Sequence, residues 1–310
     1  MQDLIVNNVS KSFNKGKVKA LVDVSFSVEK GELFGIIGPD GAGKTTLFRI
    51  LTTLLLADEG MATVNGSDVI IDYKAIRNNV GYMPGKFSLY QDLTVEENLV
   101  FFASIFNTTV EENYKLIEDI YVQLEPFKNR RAGKLSGGMK QKLALCCALI
   151  HRPAVLFLDE PTTGVDAVSR KEFWEMLKRL KKEGITILVS TPYMDEANLC
   201  ERIALIQKGE ILSIDTPNNI TEQYPDKLLA VKSDNMSLLL KDLRKNENVK
   251  SAFSFGEYHH ISFVDGFKND PMQSDLFGAN NHTNISMKPI AATVEDCFIH
   301  LMSKHEVNGN

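Results

Sequence analysis

A glycine-rich loop near the N-terminus constrains the fold of this chain more than any other feature. It follows a short apolar run at residues 32–37, and residues 45–56 after it have helical periodicity. Its residues are Gly38, Pro39, Asp40, Gly41, Ala42, Gly43, Lys44, Thr45 and Thr46. Glycines let successive backbone N–H groups turn toward one point, and the following helix adds the positive end of its dipole. The pattern predicts a strand, an anion-binding loop and a helix, in that order.

Two side chains of the loop indicate which anion it binds. Lys44 supplies a point charge suited to the β- and γ-phosphates of a nucleotide, and the Thr45 hydroxyl is a ligand for Mg²⁺. Asp40 adds a negative charge near the phosphates, which should weaken binding slightly. The loop therefore predicts a site for ATP and its Mg²⁺ ion.

A second apolar run supplies acidic residues for the same site. Residues 154–158 are apolar, and Asp159 and Glu160 follow them directly. A buried strand that ends in two carboxylates can present Asp159 to the Mg²⁺ shell and Glu160, as the catalytic base, to an attacking water. Such a strand is common on its own. Together with the loop it predicts ATP hydrolysis.

A third motif is a turn at the start of an apolar helix. Its residues are Leu135, Ser136, Gly137, Gly138 and Met139. A serine followed by two glycines suits an anion at a helix N-terminus, although the same pattern also caps ordinary helices. Because the chain already has a complete phosphate loop, we infer that this turn acts on a nucleotide held by another subunit.

The order of these motifs resembles that of the ATP-binding subunit of ATP-binding-cassette (ABC) transporters. The resemblance covers residues 1–220, and it makes residues 135–139 the family signature turn and Asp166 part of the D-loop at a dimer interface. Phe13 stands where the family has an aromatic side chain that stacks on adenine, and the alternative is a core phenylalanine. Weaker similarities to the ABC-2-type, multidrug-export branch occur at residues 82–84, 92–99, 190–197 and 294–298.

Two positions depart from the family pattern. Gly85 stands where the family has a glutamine that reaches Mg²⁺ and the water, and Pro192 stands where it has a histidine that contacts the γ-phosphate. Neither side chain donates a hydrogen bond, and Gln91 has the wrong spacing for a direct substitute. The hypothesis is an asymmetric pair. The chain's own site is slow, while its signature turn completes a fast site on a different ATPase subunit. Apart from this hypothesis, the sequence alone leaves open whether the second ATPase subunit is a copy of this chain or a different chain.

The patterns predict an α/β fold with a P-loop NTPase core, in which helices flank a mixed sheet. An antiparallel β subdomain and a helical insert at about residues 86–150 accompany the core, and we expect the ATP-binding domain to span residues 1–222. Residues 223–310 are expected to form a small α+β accessory domain, in which the polar segment 266–283 is an exposed loop.

The composition of the chain limits the partners and the cellular compartment that we expect for this protein. The net charge of −5 argues against a nucleic-acid partner, and four scattered cysteines fit a reducing compartment. The apolar runs are far shorter than the roughly 20 residues that cross a bilayer. We therefore expect a cytoplasmic protein that integral membrane permease subunits hold at the inner face of the cell membrane.

Several functions are compatible with these motifs. The leading hypothesis is the ATPase subunit that powers an exporter. An alternative is a nucleotide-sensing regulator with little hydrolysis, which Gly85 and Pro192 keep open. A soluble ABC ATPase of ribosomes or DNA repair usually has two cassettes or a long coiled-coil insert, and this sequence shows neither. A kinase or GTPase leaves residues 135–139 unexplained.

Overall fold

The computed structural model describes residues 1–86, 88–264 and 282–308, so most of the predicted exposed loop at 266–283 lies outside the described residues. The chain divides into two compact units. One comprises Met1–Asn218 together with Leu301–Asn310, and the other comprises Asn219–His300. The glycine-rich loop belongs to the first unit. Within the described residues, every helix is too short or too polar to cross a bilayer.

A six-stranded mixed sheet forms the centre of the first unit. Its strands are, in spatial order, β10 (Glu210–Asp215), β9 (Arg202–Gln207), β3 (Leu33–Ile37), β8 (Thr186–Thr191), β7 (Val155–Asp159) and β6 (Val80–Met83). Neighbouring strands are parallel except for the β9–β10 hairpin. Strands β3, β7 and β8 are buried along their whole length, as expected for parallel strands covered on both faces. The predicted mixed sheet is confirmed.

Helices surround this sheet and form the predicted insert. They are α1 (Lys44–Leu51), α2 (Tyr73–Asn79), α3 (Val95–Ile105), α4 (Val110–Tyr121), α5 (Gly137–Leu149) and α6 (Ala167–Lys182). Helix α7 (Pro217–Glu222) follows β10 and contains the boundary between the two units. Helix α1 ends five residues before the predicted end at residue 56. The reason is local, because Thr53 has a φ of 63°, in the left-handed region, and interrupts the helix.

An antiparallel sheet completes the first unit. Its strands are, in spatial order, β2 (Val18–Glu29), β1 (Gln2–Phe13), β4 (Glu59–Val64) and β5 (Ser67–Asp68). The N–H of Gly209, in the β9–β10 turn, donates to the Ala42 carbonyl at 3.0 Å, and the Gly209 carbonyl accepts from the Val22 N–H at 2.9 Å. The hairpin turn therefore links strand β2 to the glycine-rich loop.

An aromatic pair holds the end of α3 against the segment that follows α5. The rings of Phe106 and His151 stack with centroids 3.7 Å apart and planes 8° apart. The His151 Nε2–H donates to the Val80 carbonyl at 3.1 Å, which is the bond of a neutral Nε2–H tautomer. Burial lowers the pKa of His151, so the folded chain favours the uncharged ring.

We expect mild acid to destabilise the first unit through His151. Because burial lowers the pKa of His151 in the folded chain, the unfolded chain binds the proton more readily. The stability contributed by His151 is fully present above its unfolded pKa, about 6.5, and is lost as the pH falls below that value. The free energy of unfolding, measured by urea titration, should fall when the pH is lowered from about 7.5 to about 5.5. This fall should be larger for the native chain than for the His151→Phe variant. Equal falls would contradict this assignment.

The second unit contains an antiparallel sheet of its own. Its strands are, in spatial order, β12 (Val249–Phe255), β13 (Tyr258–Phe263), β11 (Leu228–Lys232) and β14 (Ser286–Ile290). Helix α8 (Met236–Leu243) packs through Leu239 and Leu243 on one face of this sheet, against Val231 and Ile261. Helix α9 (Val294–Asn308) begins in this unit, and its residues from Leu301 onward belong to the first unit. Strands and helices of this unit agree with the predicted α+β class.

Candidate functional site

The glycine-rich loop curves between the end of β3 and the start of α1. Gly41 and Gly43 have φ values of 78° and 106°, in the region that favours glycine. The Gly38 N–H donates to the Thr191 carbonyl at 3.2 Å, so the loop is attached to the end of β8. The loop therefore lies at the carboxyl edge of the parallel strands, where α/β sheets commonly bind ligands.

Lys44 has a fixed position inside the loop. Its side chain is 3% exposed, and its ammonium group donates to the carbonyls of Gly38 and Pro39 at 2.8 and 3.0 Å. The same ammonium lies 3.1 Å from Glu160 Oε1. The loop thus presents a buried positive charge, and its counterion is the carboxylate of Glu160, the residue that follows β7. Thr45 and Thr46, in the first turn of α1, are half-buried.

The two predicted acidic residues lie together and differ in environment. Asp159 is 2% exposed, and its Oδ1 accepts a hydrogen bond from Ser190 Oγ at 2.6 Å. The side chain of Glu160 is 23% exposed. Its φ of 51° is uncommon outside glycine and costs about 1–3 kcal/mol, which the surrounding structure must offset. The Glu160 N–H donates to the Ser190 carbonyl at 3.0 Å.

The residues of this site fit a Mg²⁺ ion that arrives with a nucleotide. Mg²⁺ prefers oxygen ligands and is usually held by one or two protein groups together with phosphates. The buried Asp159 carboxylate and the Thr45 hydroxyl supply such oxygens. Among the residues that the structure describes, no group of three or more His, Cys, Asp or Glu side chains could hold a metal by itself.

Both departures from the family pattern lie close to these residues. A Cβ atom built on Gly85 would lie 3.1 Å from the Asp159 carbonyl oxygen and 3.8 Å from the Glu160 Cβ. Pro192 directly follows Thr191, whose carbonyl binds the loop. Gln91 lies elsewhere, since its carbonyl accepts the Gly133 N–H at 2.9 Å.

The signature turn forms the first turn of α5. Ser136 caps the helix, and its Oγ accepts the Met139 N–H at 3.3 Å. Ser136 and Gly137 are exposed, whereas Leu135 is buried. The N-terminus of α5 is therefore exposed at Ser136 and Gly137, as an anion from another subunit requires.

The signature turn packs against the segment that follows Glu160. A Cβ on Gly138 would lie 2.8 Å from Ser169 Oγ, and a Cβ on Gly137 would lie 3.4 Å from the Gly164 carbonyl oxygen. In this segment Asp166 caps α6, because its Oδ1 accepts the N–H groups of Val168 and Ser169 at 3.1 and 3.0 Å. The predicted D-loop is thus a helix cap next to the signature turn.

Phe13, the predicted adenine-stacking residue, lies at the end of β1. Its side chain is 39% exposed, and Lys11 Nζ lies 5.8 Å from the ring centroid. The alternative of a core phenylalanine disagrees with this exposure. The ring remains available to a planar ligand.

Sequence reasoning missed a buried carboxylate next to the loop. Glu196 is 1% exposed and accepts hydrogen bonds from Thr191 Oγ1 at 2.5 Å, Thr162 Oγ1 at 2.8 Å and Arg170 Nε at 3.2 Å. These bonds join the end of β8 to the segment after Glu160 and to α6. The sequence signal was its place in the segment 190–197, which resembles the export branch.

The loop, the acidic strand end and the mixed sheet define a nucleotide-binding protein of the P-loop NTPase class. Residues 21–163 match the family model described as ABC transporter. The ABC transporter ATP-binding protein NatA of Bacillus subtilis is 38% identical over 215 residues, covering 67% of this chain and 87% of NatA. The chain belongs to the ABC transporter ATP-binding family, which confirms the resemblance.

Two further comparisons extend this result. The chain is 38% identical over 308 residues to the probable multidrug ABC transporter ATP-binding protein YbhF of Escherichia coli, and the match covers 97% of the chain but only 53% of YbhF. It therefore spans about half the length of that relative. The dimeric ATP-binding cassette MJ0796 bound to ADP and Pi superposes with a TM-score of 0.62 at 26% identity, covering 69% of this chain and 98% of the cassette. The predicted core fold is confirmed.

Proposed function

We propose that this chain is the ATP-binding and ATP-hydrolysing subunit of an ABC exporter. One observation carries the proposal: the buried Lys44 ammonium contacts both the carbonyls of the phosphate loop and the Glu160 carboxylate. The cation that would bind the phosphates is thus already next to the group that would activate water. The export function is suggested by relatives such as YbhF, which is named a probable multidrug transporter protein.

Each part of the site has a role in this proposal. The loop at residues 38–46, through backbone N–H groups other than those of Gly38 and Ala42, binds the β- and γ-phosphates together with Lys44, and Phe13 stacks on the adenine. Thr45 and Asp159 would hold Mg²⁺, which when bound neutralises charge on the phosphate oxygens. Glu160 orients the attacking water and accepts its proton.

The ion pair between Lys44 and Glu160 gives the site a specific electrostatic role. Before ATP binds, each charge is satisfied by the other at 3.1 Å. An incoming phosphate competes for the ammonium group, because it carries more negative charge than a carboxylate. Glu160 then loses its cation and becomes available to accept a proton from water. Nucleotide binding and activation of the base are thereby linked.

We further propose that the chain works in an asymmetric pair. Gly85 lies beside Asp159 without a side chain, and Pro192 cannot donate a hydrogen bond, so the chain's own site lacks two contacts to the reacting groups. The exposed signature turn, by contrast, retains its serine and both glycines. The slow site is therefore this chain's own, and the turn completes a fast site on a second ATPase subunit.

A groove in the first unit is our proposed contact with an integral membrane permease. It has a volume of about 280 Å³ and lies between the end of β6 and helices α3 and α5. Its lining is mostly apolar and includes Met83, Pro84, Leu89, Phe102 and Ala144. An apolar groove of this kind suits a short amphipathic helix of a partner. Through this contact the permease would hold the chain at the inner face of the membrane.

The asymmetric pair is tested by two variants of the assembled transporter. We expect Ser136→Arg to lower ATP turnover at least 10-fold, because the arginine blocks the turn that faces the partner's nucleotide. Glu160→Gln should lower turnover much less, since it affects only the slow site. Steady-state ATPase rates in membranes or detergent measure both effects.

Thr109→Arg is the matched control, because Thr109 caps α4 in the same way as Ser136 caps α5. It should leave turnover unchanged. The asymmetric pair is wrong if Glu160→Gln abolishes turnover while Ser136→Arg leaves it intact. A native complex that hydrolyses no ATP with every partner present would contradict the ATPase function and favour a nucleotide-sensing regulator.

A further inference from the structure

Strand β8 ends next to both carboxylates of the site. Ser190, its penultimate residue, is completely buried. Its Oγ lies 2.6 Å from Asp159 Oδ1 and 3.0 Å from the Glu160 backbone nitrogen. One hydroxyl group therefore contacts both Asp159, which is proposed to bind the cation, and Glu160, which is proposed to activate the water.

The direction of these two hydrogen bonds is fixed by their partners. The Glu160 N–H can only donate, so it occupies a lone pair of the Ser190 oxygen. The hydroxyl proton is then directed to Asp159, which accepts it as a carboxylate at a distance typical of a charge-assisted bond. Asp159 Oδ1 is held by this proton, and its second oxygen remains for a cation.

The same hydroxyl supports the strained backbone at Glu160. With a φ of 51°, this residue needs external contacts to remain in the left-handed region. Its N–H is bound by both the carbonyl and the hydroxyl of Ser190. On the opposite side, Gly85 offers no side chain that could orient either residue. The orientation of the acidic pair therefore depends on β8.

We propose that Ser190 is a positioning residue of the nucleotide site. It aims the Asp159 carboxylate at the cation and keeps Glu160 in the conformation that brings its carboxylate to Lys44. This inference rests on the proposed function, because it assumes that Asp159 meets a divalent cation. Gly85 has no side chain that could orient the acidic pair. In this proposal Ser190, on β8, orients Asp159 and Glu160 instead.

The experiment measures binding of Mn²⁺, as a probe for Mg²⁺, by electron paramagnetic resonance with the full chain and a non-hydrolysable ATP analogue. We expect Ser190→Ala to raise the Kd for Mn²⁺ about 10-fold, since loss of a residue that orients a metal ligand commonly costs 10–100-fold in metal affinity. Ser190→Cys leaves no cavity, because its side chain is slightly larger than that of serine, and it replaces the hydroxyl by a weak donor. It should give a similar rise in the Kd for Mn²⁺.

Thr186→Val is the matched control. Thr186 is also completely buried on β8, and its hydroxyl makes two bonds, with Asp3 Oδ2 at 2.5 Å and the Gly31 N–H at 2.7 Å, at the far end of the strand. The Thr186→Val variant should lower the melting temperature as much as Ser190→Ala does, but it should change the Kd for Mn²⁺ less than twofold. Equal effects of the Ser190 and Thr186 variants on this Kd would overturn the proposal. Absence of nucleotide-dependent Mn²⁺ binding in the native chain would instead overturn the proposed function.

Discussion

Replacing Lys44 with glutamine is expected to weaken ATP binding about 100-fold, equivalent to about 3 kcal/mol. The ammonium group is the buried cation of the loop, and glutamine cannot supply its charge. The loss has a second component, because Glu160 would then face the phosphates as an unpaired carboxylate. The Kd of the full chain for a fluorescent ATP analogue measures the effect.

Lys30→Gln provides the comparison for this change. Lys30 is an exposed lysine in the turn after β2, and its replacement alters the net charge of the chain equally. The Kd of the Lys30→Gln variant for the fluorescent ATP analogue should stay within twofold of the native value. An unchanged Kd in Lys44→Gln would show that the phosphates bind elsewhere and would remove the main support for the proposed function.

Gly43→Ala should strongly destabilise the first unit, because this glycine has both a left-handed backbone and close neighbours. A Cβ at this position would lie 2.3 Å from the Ala20 carbonyl oxygen and 3.0 Å from Leu21 Cδ2, both in strand β2. The left-handed backbone adds about 1–2 kcal/mol, and the forced shift of β2 adds about 1–3 kcal/mol. We expect a loss of about 3 kcal/mol in the free energy of unfolding, measured by urea titration.

Gly41→Ala separates the two causes of this loss. Gly41 has a similar backbone, with a φ of 78°, but a Cβ there would have no neighbour within 4 Å. Its replacement should cost only about 1 kcal/mol, the backbone component alone. Equal losses in both variants would mean that β2 does not restrain the loop. A loss only in Gly43→Ala would mean that the left-handed backbone costs little here.

The chemistry of the site was predictable from the sequence because it depends on local patterns. The phosphate loop and the acidic strand end are contiguous segments, and their residue types define their roles whatever the rest of the chain does. The family resemblance also singled out Gly85 and Pro192, and the structure brings both close to the acidic pair and the loop.

The supporting contacts were not predictable in the same way. Ser190 directly follows the apolar run at residues 185–189, and both Ser190 and Glu196 lie in the segment 190–197, whose resemblance to the export branch assigns a role to neither side chain. Their roles depend on which strands are neighbours, and a single sequence does not state that order. The predicted end of α1 was wrong because threonine seldom adopts the left-handed conformation that Thr53 has, so the sequence did not indicate a break there.

The hydrogen bonds of Gly209 have a consequence for how the chain matures during translation. The phosphate loop is completed by bonds to Gly209 and Thr191, which are synthesised about 150 residues after it. A nascent chain that has only emerged through helix α1 contains every loop residue but lacks the neighbours that hold the loop in shape. We therefore expect the loop to reach its final shape late in synthesis, after the β9–β10 hairpin has left the ribosome.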